Sequence, residues 1–148
     1  MYSIEEYDAN KTKVLKFVLY KKRTKQEVKN KFLKTIDEEM LIDILDELEE
    51  NGYIDDSDYV RRLINDYKIL NNLSMKEVRY KLFSKGIANN LIDNYFSDNY
   101  EELIEYERES ARKLAIKKSN TMDEIQIKQF LLKKGYNIES IEEAINEL

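Results

Sequence analysis

The side chains in this sequence that could do chemistry are carboxylates, lysines, arginines and tyrosines, because it contains no histidine and no cysteine. Without histidine the commonest general base and the commonest transition-metal ligand are missing. Without cysteine there is no thiolate and no disulfide. The densest carboxylate cluster is Asp55-Asp56-Ser57-Asp58. It lacks the calcium-loop pattern, which needs a glycine at the sixth position and a glutamate at the twelfth. It follows Gly52 and precedes a helical stripe, so its aspartates read as caps for backbone N–H groups at a helix start. The three glycines, Gly52, Gly86 and Gly135, are too scattered to cradle a phosphate. Eleven tyrosines invite comparison with base-stacking platforms. Tyr59, Tyr67 and Tyr95 fall at apolar positions of helical stripes, which makes them packing residues. Tyr20, beside Lys21-Lys22-Arg23, and Tyr80, between Arg79 and Lys81, are the candidate contact residues. No nucleophile–base pair is legible, so the expectation is a non-enzyme with no catalytic residue, no metal and no cofactor.

Such a chain must work through the elements that shape its surface. Apolar residues recur at helical spacing almost throughout, as in Val14, Leu15, Val18 and Leu19, or Tyr59, Leu63, Ile64 and Tyr67. Zero proline and three glycines favour helices joined by short turns. Val28, Phe32 and Leu33 return as Val78, Leu82 and Phe83 and again as Ile127, Leu131 and Leu132, at offsets of 50 and 49 residues. Leu41, Ile44 and Leu45 likewise return as Ile92, Tyr95 and Phe96, then as Ile141, Ala144 and Ile145. Between these stripes lie Lys34-Thr35-Ile36, Lys85-Gly86-Ile87 and Lys134-Gly135-Tyr136; the two glycines suit the left-handed position just past a helix end. Thr24-Lys25-Gln26-Glu27 and Ser74-Met75-Lys76-Glu77 are capping boxes, and Thr121-Met122-Asp123-Glu124 reads as a third.

The spacing predicts an all-α chain of three tandem three-helix repeats, 1–54, 55–99 and 100–148, about nine helices stacked into an elongated, curved array. The helices are predicted near 8–21, 25–34, 37–50, 56–71, 75–85, 89–98, 100–118, 122–134 and 138–147. No apolar run is long enough to span a bilayer and the first residues are acidic, so a cytoplasmic monomer is expected.

Charge follows the repeat. Residues 11–34 carry a net +9, 35–58 a net −11, 59–90 a net +5, 91–109 a net −6, 110–135 a net +5 and 136–148 a net −4. Middle helices are basic and third helices acidic. A basic stripe suits phosphates or an acidic protein groove, and an acidic stripe suits a basic partner. The overall charge of −5 argues against a surface given wholly to nucleic acid.

Gly52-Tyr53-Ile54-Asp55-Asp56-Ser57-Asp58-Tyr59-Val60 resembles the central signature of the RecX family: a glycine, two residues of which the second is apolar, two acids, then an aromatic and a small residue. Val78-Arg79-Tyr80-Lys81-Leu82-Phe83-Ser84-Lys85-Gly86-Ile87 resembles that family's L-x-x-K-G-I helix end, and Tyr20-Lys21-Lys22-Arg23-Thr24-Lys25-Gln26-Glu27-Val28-Lys29 its first-repeat segment. Asn72-Leu73-Ser74 stands where the family usually has a glycine, Val60 replaces the usual alanine, and an N-terminal extension of some relatives is absent. The resemblance implies a cytoplasmic regulator in DNA repair, recombination and the SOS response. Such proteins bind RecA filaments on single-stranded DNA, lie in the filament groove and suppress ATPase and strand exchange. From the charge blocks, the expected filament contacts are Lys22, Arg23, Arg61, Arg62, Arg79, Lys81, Lys85, Lys133 and Lys134. Gly52, Ile54, Asp55, Asp56, Tyr59, Gly86 and Gly135 are expected to hold the fold. The alternative is a direct DNA-binding module built like a helix-turn-helix, with weak DNA contact alongside RecA as an intermediate case.

Overall fold

The structure is a computed structural model and describes residues 2–148. Its described residues form nine helices and no strand: α1 (Ile4–Tyr20), α2 (Lys25–Phe32), α3 (Glu38–Glu50), α4 (Asp56–Leu70), α5 (Met75–Ser84), α6 (Asn89–Asp98), α7 (Tyr100–Lys118), α8 (Glu124–Lys134) and α9 (Ile138–Asn146). The all-α expectation holds, and most predicted boundaries fall within one or two residues of the observed ones. No helix among the described residues is long and apolar enough to cross a membrane.

Two boundaries differ for the same reason. Helix α1 begins at Ile4 rather than near residue 8, because the Ser3 hydroxyl accepts a hydrogen bond from the Glu6 backbone N–H. Ser3 and Glu6 stand three apart, as in the boxes at Thr24 and Ser74. The third box is not at Thr121. Asp123 caps α8, its carboxylate accepting from Gln126 N–H at 2.8 Å while the Gln126 side chain accepts from Asp123 N–H at 3.0 Å. An Asp/Gln pair does the work of Ser/Glu, and it sits 49 residues after Ser74, in register with the other two.

The chain divides into two compact units. The first is the chain up to Val60 together with Lys85–Ile87; the second is Arg61–Ser84 with Ala88–Leu148. In the first unit α1, α2 and α3 pack on one another around Val14, Val28, Leu41, Ile44, Leu45, Leu48 and Ile54. Ile54 enters this core because Gly52, at φ +83°, lets the chain reverse after α3, with Tyr53 N–H bonding back to the Leu48 carbonyl at 2.8 Å. In the second unit α5 packs on α6, and α7 packs on α8 and α9 around Ala111, Ala115, Ile127, Leu131, Tyr136, Ile141 and Ala144. Burying each large side chain of this kind stabilises the fold by about 1.5–3 kcal/mol before the cost of ordering it.

The three inter-helix turns differ. Gly86 and Gly135 take φ +83° and +97°. The Lys34-Thr35-Ile36 turn instead stays right-handed, with Thr35 and Ile36 N–H both bonding to the Phe32 carbonyl. A β-branched residue cannot adopt the left-handed conformation cheaply.

Candidate functional site

Some of the charged and polar residues singled out by the sequence meet in one arrangement that occurs once in each unit. In the first unit the Thr24 hydroxyl accepts from Glu27 N–H, closing the α2 capping box, and donates to the Lys85 carbonyl at 2.6 Å. Lys25 N–H, a free donor of the helix start, is taken by the Asp56 carboxylate at 2.9 Å. Glu27 stands 3.9 Å from the Lys85 ammonium. Gly86 lies so close to Gln26 that a Cβ there would meet the Gln26 Cβ at 2.4 Å. The glycine is therefore required twice, by its positive φ and by this approach.

The second unit repeats this clasp with different side chains. The Ser74 hydroxyl accepts from Glu77 N–H and donates to the Lys134 carbonyl at 2.7 Å. The Lys134 ammonium meets Glu77 at 3.1 Å. A Cβ on Gly135 would meet Lys76 at 2.9 Å. The place of Asp56 is taken by Glu107, which accepts from the backbone of Met75 and from the backbone and side chain of Asn137. Glu107 is only 1% exposed, and burial pushes its carboxyl above the ordinary value of 4.5. Burial likewise raises Asp56, opposed by the Lys25 backbone hydrogen bond. Beside Glu107, Ser110 and Tyr136 share a 2.6 Å hydrogen bond, and the Tyr106 hydroxyl donates to the Leu73 carbonyl at 2.6 Å.

The candidate contact residues divide between roles. Lys22, Lys81 and Lys133 are exposed and carry no ion pair among the described residues. Arg61 and Arg62 are exposed on α4. Both take part in interactions within the chain, as do the other four. Arg23 lies with its guanidinium carbon 4.2 Å from the Phe17 ring centroid, its Nε buried without a hydrogen-bond partner. Arg79 stacks at 4.6 Å on Phe96 and pairs with Asp93. Lys85 and Lys134 serve the clasps. Lys22, Arg23 and Lys85 belong to the first unit and the other six to the second. Tyr20 and Tyr80 are well exposed, at 86% and 70%.

Of the signature residues, Asp55 caps α4 by accepting from Asp58 N–H at 3.1 Å, Asp56 serves the first clasp, Ile54 is buried and Tyr59 is half-buried. Glu107 escaped the sequence reading because Tyr106-Glu107-Arg108-Glu109 looks like a solvated helix face. Its signal was register: Val60 and Ile64, both buried, return 51 residues on as buried Ala111 and Ala115, which puts Glu107 at the sequence position equivalent to Asp56. No group of three or more acidic side chains able to hold a metal ion is present among the described residues.

This architecture has relatives. No family model matches the chain. The chain is 34% identical to "Regulatory protein RecX" of Staphylococcus carnosus over 90% of its own length and 52% of that protein. It is 30% identical to the protein of the same name from Clostridium botulinum strain Eklund 17B, over 84% of its length and 61% of that protein. It thus spans about half to three-fifths of these curated relatives. The crystal structure of RecX from Lactobacillus salivarius superposes with a TM-score of 0.81 at 24% identity, covering 99% of this chain and 98% of that one, which shows the shared fold. In sequence and in architecture alike, the chain belongs to the RecX family.

Proposed function

We propose that this chain is a non-enzymatic regulator that binds RecA and its filament on single-stranded DNA and lowers the recombinase's ATPase and strand-exchange activity. Membership of the family whose curated members are called regulatory proteins carries this reading. It fits a chain without histidine or cysteine, whose half-buried Asp56 and buried Glu107 are occupied with backbone N–H groups rather than turned to a cleft. RecA itself supplies the nucleotide chemistry, so the regulator needs only a surface.

In this reading the repeats are 1–54, 55–99 and 100–148, and the capping residues Thr24, Ser74 and Asp123 mark equivalent points in each. Lys22, Lys81 and Lys133, exposed and without an ion pair among the described residues, make the first contacts. Arg61, Arg62, Arg23, Arg79, Lys85 and Lys134, each engaged within the chain, contribute by exchanging those internal contacts for the partner's. The cytoplasm, where RecA works, is the compartment.

The test is the ATPase of the cognate RecA on single-stranded DNA with this protein titrated in. ATP turnover should fall with added protein, and the triple variant Lys22→Glu, Lys81→Glu, Lys133→Glu should shift the titration midpoint by at least about tenfold. Turnover unchanged at saturating wild-type protein would refute the reading.

A further inference from the structure

The two clasps follow one rule, and the third middle helix stands outside it. Each clasp joins the start of one middle helix to the glycine turn after the next: α2 takes the turn after α5, and α5 takes the turn after α8. By that rule the start of α8 and the turn after α2 are left over, at opposite ends of the series. The α8 start is open. Thr24 and Ser74 are 0% exposed beneath their turns, whereas the equivalent Asp123 is exposed. Gln26 and Lys76 are the stems against which Gly86 and Gly135 press, and the equivalent Ile125 is 70% exposed. An apolar stem at the clasp position thus faces solvent.

We infer that the α8 start and the 34–36 turn are stops, which keep this chain from clasping a second copy of itself head to tail. The α8 start carries Asp and Gln where α5 carries Ser and Glu. Within the helix the exchange changes nothing, since both capping bonds form, at 2.8 and 3.0 Å. Outward it removes both connections. A hydroxyl accepts from its own helix and donates to the turn carbonyl, but the Asp123 carboxylate only accepts and repels that carbonyl. Glu27 and Glu77 meet Lys85 and Lys134 at 3.9 and 3.1 Å, whereas Gln126 has no charge to offer Lys34. The turn after α2 is altered to match. Lys34 is kept, but Thr35 stands in place of glycine, and the turn stays right-handed with the Thr35 and Ile36 N–H groups both bonded to the Phe32 carbonyl. A head-to-tail contact does not close on itself, so every copy added would present the same two ends and the assembly would grow. Stacked repeats need terminal faces that do not continue the stack, and an exposed Ile125 makes that need acute.

The test restores each half separately. One variant carries Asp123→Ser with Gln126→Glu, which rebuilds the box found at Ser74. The other carries Thr35→Gly; Thr35→Asn, which also tolerates a positive φ, replaces it if the glycine variant does not fold. Thermal unfolding confirms that each variant is folded, and sedimentation velocity over a dilution series reads association. The wild type and each variant alone should stay monomeric, because each keeps at least one stop. An equimolar mixture of the two variants has one competent start and one competent turn. It should form a one-to-one complex and nothing larger, at least about tenfold tighter than any self-association of the wild type. The chain with all three substitutions should grow past the dimer. A mixture of folded variants that stays monomeric overturns the inference. So does a wild type that self-associates as strongly as the mixture, or a box variant that associates without the altered turn.

Discussion

The two clasps make the same connections with different residues. Threonine answers to serine, glutamine to lysine and aspartate to glutamate, yet the hydroxyl-to-carbonyl distances are 2.6 and 2.7 Å. What is held constant is backbone: an N-cap beside the carbonyl that ends another middle helix, and a glycine turn pressed against a side-chain stem. The second clasp differs in depth. Its carboxylate, Glu107, is almost wholly buried and linked to Asn137, whereas Asp56 is only half-buried. The ammonium of Lys134 meets Glu77 at 3.1 Å, against 3.9 Å for Lys85 and Glu27. Backbone geometry sets where a helix start and a glycine turn can meet, and burial sets how much each meeting contributes.

That contrast makes Glu107→Leu the most damaging single change expected. It orphans buried N–H donors at Met75 and Asn137, and should cost about 2–4 kcal/mol in urea unfolding. Asp56→Leu, at the better solvated clasp, should cost about 1 kcal/mol. Equal losses would remove the distinction between the clasps.

The glycines sharpen the role of close approach. Gly86→Ala combines a positive φ with a collision against Gln26 and should cost about 2–3 kcal/mol. Gly52 has the same φ of +83° but open space where a Cβ would stand, so Gly52→Ala should cost about 1 kcal/mol. Thermal unfolding of the two variants measures the difference, which is the contribution of the clasp contact itself.

The smallest expected effect is on pH dependence. Burial raises Glu107, so the folded chain favours its protonated form. The stability this group contributes is full below its ordinary value of 4.5 and is lost as pH rises through the higher folded value. Glu107→Gln keeps an acceptor for the Met75 N–H and removes the charge. The variant should therefore gain stability relative to the wild type on going from pH 4 to pH 7, as read from unfolding midpoints at each pH. A difference independent of pH would show that burial does not disfavour the charge.

Much of this fold could be read from the chain because its signals are local. A hydroxyl or aspartate three residues before a glutamate or glutamine marks a helix start at Ser3, Thr24, Ser74 and Asp123 alike; a reading confined to Ser and Thr before α8 chose Thr121 instead. Glycine after lysine marks the left-handed turns. What stayed hidden was non-local. Whether Lys85 faces a partner or Glu27 depends on residues some 60 positions away, and charge counts along the chain are blind to that. Arg79 illustrates the same limit: its helix face is legible, but its stacking on Phe96 depends on the register between α5 and α6. Exposed lysines such as Lys22 could be told from engaged ones such as Lys134 only once the clasps were visible.

At the centre of the proposed function stands one claim to be tested: that the working surface recognises a protein filament, with nucleic acid alone a poor substitute. The direct measurement is equilibrium binding of the labelled chain to bare single-stranded DNA and to the same DNA coated with the cognate RecA, at physiological salt. Affinity for the coated strand should be at least about 100-fold higher, with the bare-strand affinity falling steeply as salt is raised. Equal or tighter binding to the bare strand would contradict the account and identify the chain as a DNA-binding module.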